Sequence, residues 1–128
     1  PTQIGNLAIC GIDDPVFFAS HDLAKVREGL PGKMLKILLS HNPAIADRED
    51  ISPFHFVLSG HTHGGQICRP SGKPWTKPDP MAVDLIAGSW SRGPSHGYTS
   101  RGAGACLLPL RFFCPPEITV HEIFPIRQ

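Results

Sequence analysis

Three nearly continuous apolar runs mark the first half of the chain: NLAICGI at 6–12, MLKILLS at 34–40 and FHFVLSG at 54–60. Each is bounded by turn-forming residues, and runs of this length without polar alternation predict strands buried on both faces. Between the first two, Leu23, Val26 and Leu30 recur at three- and four-residue spacing. With Ser20 as an N-cap and Pro31-Gly32 as a stop, that segment predicts a helix. Between the second and third, AIADRED at 44–50 predicts at most one short helix. Strand, helix, strand, short helix, strand is the order of parallel βα units, whose functional residues lie on loops at the carboxyl ends of the strands. Asp13, His41 and His61 all occupy such positions.

The second half changes character. RPSGKPWTKPDP at 69–80 carries prolines at 70, 74, 78 and 80 and few apolar residues, which predicts a loop or lid. After it, VDLIAGSW (83–90), HGYTSRGAGACLLPLRFF (96–113) and PEITVHEIF (116–124) read as short strands between glycine or proline turns, an antiparallel region following the βα units.

Composition narrows the class. A length of 128 residues at 41% hydrophobic content fits a single domain, and 12 basic against 11 acidic residues leave no nucleic-acid footprint. No apolar stretch approaches the ~18 residues of a membrane span. The opening PTQIG, without methionine, reads as a cut edge, so compartment stays open between the cytoplasm and a bacterial cell envelope. Cys10, Cys68, Cys106 and Cys114 form no Cys-x-x-Cys pair and are expected as free, mostly buried thiols.

The chemistry concentrates in LSGHTHGGQI at 58–67. His61 and His63 are separated by Thr62 alone, and Gly60, Gly64 and Gly65 clear side chains from around them, so backbone and ligand can approach closely. Imidazole is the commonest protein metal ligand. His41, in His-Asn-Pro at the end of the preceding predicted strand, adds a third ring on a neighbouring loop. Arg101 and Arg111 are candidate phosphate contacts through bidentate donation, against the simpler reading of structural pairing. His55 and His121 fall within strand-like runs and are expected as packing residues. A small zinc site built from His61, His63 and Cys68 is the alternative metal reading.

ILLSHNP at 37–43 followed by VLSGHTHGGQI at 57–67 resembles the C-terminal half of the calcineurin-like metallophosphoesterases. LAICGIDD at 7–14 and YTSRGAGACLLPLRFFCPPEITV at 98–120 extend the likeness, the latter to a bacterial phosphohydrolase and phosphodiesterase subgroup. The resemblance implies half of an α/β-β/α sandwich and hydrolysis of phosphodiesters or phosphomonoesters. It also implies two divalent ions (manganese, iron, zinc or magnesium) about 3.5–4 Å apart. It assigns His41 and His61 to the second ion and His63 to the first. The family's upstream motifs, Asp-x-His, Gly-Asp-x-x-Asp and Gly-Asn-His-Asp/Glu, are absent from the 128 residues, and Asp13-Asp14 is not expected to replace the bridging aspartate. The remaining ligands are therefore expected from an N-terminal half or a second chain. A scaffold module of the same fold without turnover is the alternative.

Overall fold

The computed structural model describes residues 1–16, 20–76 and 80–124. They build a mixed α/β unit: β1 (Thr2–Ile4), β2 (Leu7–Ile12), α1 (Leu23–Glu28), β3 (Leu35–Ser40), α2 (Ile45–Arg48), β4 (Phe56–Ser59), β5 (Gly88–Arg92) and β6 (Ser95–Thr99). The six strands form one sheet in the order β1-β2-β3-β4-β6-β5. β2, β3, β4 and β6 are parallel neighbours, while β1 and β5 close the two edges antiparallel. The three apolar runs thus become adjacent strands, and the expected parallel βα units are β2-α1-β3 and β3-α2-β4.

Register explains which residues carry the core. Cys10 stands opposite Leu38, Leu38 opposite Val57, Val57 opposite Gly97, and Gly97 opposite Trp90. This row faces Leu23, Ile45, Phe54, Leu85 and Ile86 in one buried cluster. Gly97 is required there, because a Cβ on it would lie 2.2 Å from the Trp90 ring. Alternate residues point the other way, in a row of Gly11, Leu39, Leu58 and Tyr98. That face is less covered, with Leu39 43% exposed.

Three local expectations are corrected. The cap of α1 is Asp22 and not Ser20: the Asp22 carboxylate accepts from Lys25 N at 2.9 Å, and Ser20 lies too early to reach that orphan N–H. The helix also stops at Gly29, before Leu30, Pro31 and Gly32. In VDLIAGSW, Val83–Leu85 is a 3₁₀ turn, closed by Leu85 N to Ala82 O and Ile86 N to Val83 O, and the strand begins only at Gly88.

Past Thr99 none of the described residues forms a strand, so ACLLPLRFF and PEITVHEIF run as irregular chain. Pro109, Pro115 and Pro116 lack the N–H a ladder needs. The segment is tied down instead by one parallel bridge, Ile67 to Phe112, and by Glu117 N donating to Gly102 O at 2.9 Å. Residues 77–79 of the proline-rich loop lie outside the described residues. No helix among the described residues is long and apolar enough to cross a membrane.

Candidate metal centre

Because β2, β3 and β4 are parallel and adjacent, the loops leaving them meet at one edge of the sheet. There Asp14, His41 and His61 each bring a ligating atom within 4.8 Å of the others. His61 Nδ1 lies 3.2 Å from His41 Nε2, with the rings edge to face. Two nitrogens bound to one ion at the usual 2.0–2.1 Å would stand about 2.9–3.4 Å apart, depending on coordination geometry. The pair fits that requirement. Asp14 is buried and its Oδ1 accepts from Val16 N at 2.7 Å, which fixes the carboxylate in a local turn.

The backbone around the histidines is built to hold them. Buried Asn42 accepts from Ala44 N at 3.0 Å through its side chain, and Ser40 Oγ donates to Asn42 O at 2.9 Å, bracing His41 from both sides. Gly60 N donates to His41 O at 3.1 Å, which couples the two loops. His61, His63 and Gln66 have φ of 65°, 50° and 53°, a left-handed conformation that non-glycine residues adopt at a cost. Thr62 supports this turn from beneath: its hydroxyl donates to Ile86 O at 2.6 Å and accepts from Gly64 N at 3.2 Å. Gly64 and Gly65 have no room for a side chain, since a Cβ would meet Arg101 Cγ at 2.7 Å and Pro74 Cβ at 2.3 Å.

His63 does not join this group. Its Nδ1 faces Gly104 O at 3.4 Å, on the closing segment. The alternative zinc set is corrected: among the described residues His61, His63 and Cys68 do not form a group, because the Cys68 thiol turns inward to donate to Gly64 O at 3.3 Å. Burial, reinforced by the adjacent Cys114 thiol, pushes Cys68 up to about 11, the opposite of a metal-ready thiolate. All four cysteines are free; Cys106 is exposed and the others are buried. His55 Nδ1 accepts from Lys36 N at 3.1 Å between strands, and His121 packs edge to face on Tyr98.

The two guanidiniums are engaged to different degrees. Arg101 Nη1 donates to Glu117 Oε2 at 2.7 Å, and Arg111 donates to the backbone carbonyls of His63, Arg101, Gly102 and Gly104. Glu117 also accepts from Tyr98 at 2.6 Å and Thr119 at 2.7 Å. Burial alone would raise the Glu117 carboxyl, but the hydrogen bonds from Tyr98, Thr119 and Arg101 outweigh it and hold the pKa below the ordinary value. A depressed folded-state pKa stabilises the fold fully above the unfolded value, about 4.3, and that contribution is lost as pH falls through the lower folded value. Glu117→Gln should therefore destabilise the protein at pH 7 and flatten its acid unfolding below about pH 4. Thermal melts at a series of pH values check this; parallel wild-type and variant curves would contradict it.

An open cavity of about 500 Å³ adjoins His41 and is lined by Gly11, Ser40, Gly60, Tyr98 and His121 among others. A histidine pair and a buried carboxylate at the carboxyl ends of parallel strands, beside such a cleft, make a candidate metal-binding site in an α/β protein. Asp14 is the member that sequence reasoning set aside; the signal for it was its place at the end of the strand neighbouring that of His41.

Comparison with known proteins agrees. The chain is 38% identical over 117 residues to an uncharacterized metallophosphoesterase, YkuE, of Bacillus subtilis, covering 91% of the chain and 40% of that relative. It is 37% identical over 89 residues to phosphodiesterase YaeI of Escherichia coli, covering 69% of the chain and 32% of the relative. It is 33% identical over 102 residues to UDP-2,3-diacylglucosamine pyrophosphatase LpxG of Chlamydia muridarum, covering 71% of the chain and 28% of the relative. The chain belongs to the metallophosphoesterase family, and spans well under half the length of these relatives. No protein-family profile matches it. No solved structure matches it either.

Proposed function

We propose that this chain forms part of a metal-dependent phosphoester hydrolase and supplies the C-terminal histidine ligands of a two-metal site. The observation that carries the reading is the convergence of His61 Nδ1, His41 Nε2 and the Asp14 carboxylate at the ends of three adjacent strands. In this reading His41 and His61 hold one ion, with Asp14 as a third donor, and His63 serves the other. Imidazole with carboxylate suits manganese, iron or zinc, and magnesium through the carboxylate. Such ions, when bound, polarise a phosphoryl oxygen and supply a nucleophile from water at neutral pH.

The chain's own residues bind and orient: the strained turn fixes both rings of His61 and His63, and the cleft beside His41 receives the phosphoester. Arg111, whose donors are engaged by backbone carbonyls, shapes the site in place of direct phosphate contact, while Arg101 gives Nη1 to Glu117 and is the arginine left to meet a phosphate. Residues 1–128 act as one part-domain, with the proline-rich loop 69–80 bordering the turn through Pro74 against Gly65. The ligands of the upstream motifs come from an N-terminal segment or a second chain. The activities that two relatives are named for, phosphodiesterase and pyrophosphatase, suggest phosphodiester or phosphoanhydride-like substrates.

The test is hydrolysis of an aryl phosphodiester by the intact protein, before and after chelation. Turnover should vanish with chelator and return with manganese. Hydrolysis that survives exhaustive chelation, or a protein inert with every divalent ion, would overturn the reading.

A further inference from the structure

Arg111 sits between the histidine turn and the closing segment and holds both. Its Nε donates to Gly104 O at 2.8 Å, Nη1 to His63 O at 3.2 Å, and Nη2 to Arg101 O at 2.6 Å and Gly102 O at 3.0 Å, with a further short contact from Nη2 to Gly104 O. The Cys114 thiol adds to the same clamp, donating to His63 O at 3.2 Å. The Gly104 carbonyl is thereby fixed where it faces His63 Nδ1 at 3.4 Å.

A carbonyl only accepts, so the nitrogen facing it must carry the proton. The rival partner is Arg111 Nη2, 3.5 Å from the same nitrogen, which would demand the opposite tautomer. Both contacts are long for hydrogen bonds, so the supply of hydrogens decides. Nη2 has two hydrogens and three carbonyls at 3.0 Å or closer, which leaves none for the ring. The geometry thus favours Nδ1–H on His63, the tautomer that leaves the Nε2 lone pair for a ligand. A cavity of about 460 Å³ is lined by His63 and His61 together.

We propose that Arg111 is a positioning residue that presets His63 for metal: by fixing the Gly104 carbonyl and the His63 backbone it locks the ring as the Nδ1–H tautomer, leaving Nε2 to the ion. Partners that orient a ligating imidazole in this way are worth about 10–100-fold in metal affinity. The proposal rests on the reading of His63 as a ligand. Lysine cannot replace the arginine, because a single ammonium cannot reach four carbonyls in a planar fork.

Two measurements on the intact protein test it. Long-range proton–nitrogen NMR of the metal-free protein should show His63 as Nδ1–H in the wild type and as mixed tautomers in Arg111→Lys, with His41 and His61 unchanged. Manganese titration should then show affinity at one of two ions lowered about 10–100-fold in Arg111→Lys. A wild-type His63 in the Nε2–H form overturns the proposal without any variant, so a misfolded Arg111→Lys does not protect it. Unchanged tautomer and affinity in a folded Arg111→Lys overturn it as well. His63→Ala distinguishes the two readings: undiminished ion binding in that variant removes His63 as a ligand, while the tautomer result still judges the role of Arg111.

Discussion

His41→Ala in the intact protein should lower metal-dependent phosphoester hydrolysis at least about 100-fold, beyond the loss expected of a residue that merely orients a ligand. His41 is exposed, so its removal opens no core cavity and the thermal midpoint should scarcely move. His61 needs a more careful substitution, because its φ of 65° strains any residue with a Cβ. Asparagine accepts that conformation better than alanine, and His61→Asn should match His41→Ala in its loss of turnover. In the proposed reading the two rings act on one ion, so the double variant should be little worse than either single one; residues that work as a unit are not additive. Asp14→Asn should weaken the same ion. Turnover measured alongside bound metal checks all of this. Losses that multiply in the double variant would mean that the two histidines serve different ions, and near-normal turnover in either single variant would remove it from the site.

The parts of the fold that could be read in advance are the apolar runs of the central strands, although only one face of them is buried and Leu39 on the other is 43% exposed. Cys10, Leu38 and Val57 lie in central parallel strands, and the apolar runs around them follow from that position. The closing segment misled for a related reason. Leu107, Leu108, Leu110, Phe112 and Phe113 look like strand residues, yet all are more than half exposed, because hydrophobicity predicts burial only where a partner surface exists. Within the site, the pairing of His41 with His61 follows from adjacent strand ends. The parting of His61 from His63, two residues on, depends on positive φ at both and on Gly104, which arrives from far along the chain. Asp14 was set aside because the family likeness gives its turn no ligand role; its place at the end of β2, beside the end of β3, was the signal that it could join His41.

Gly97→Ala should destabilise the protein more than an ordinary strand substitution, although alanine is the smallest change available. Gly97 lies in β6, a strand paired with β4 on one side and β5 on the other, so its backbone has little room to move. An added Cβ would meet the Trp90 ring at 2.2 to 2.3 Å, and the ring must give way. Trp90 is 5% exposed and its Nε1 donates to buried Thr99 Oγ1 at 2.9 Å. Displacing the indole therefore combines overpacking, about 1–3 kcal/mol, with a buried hydroxyl that loses its partner, about 1–3 kcal/mol. Against a total stability of about 5–15 kcal/mol this is a large fraction, and a fall in melting temperature of about 10 °C or more is expected. Trp90→Ala removes the obstacle at the cost of a cavity, about 3–5 kcal/mol. The double variant Gly97→Ala/Trp90→Ala should then be no less stable than Trp90→Ala alone, since the new methyl group enters space the ring has left. Denaturant unfolding of the four proteins measures this coupling. Purely additive losses would show that the indole is not what forbids a side chain at position 97.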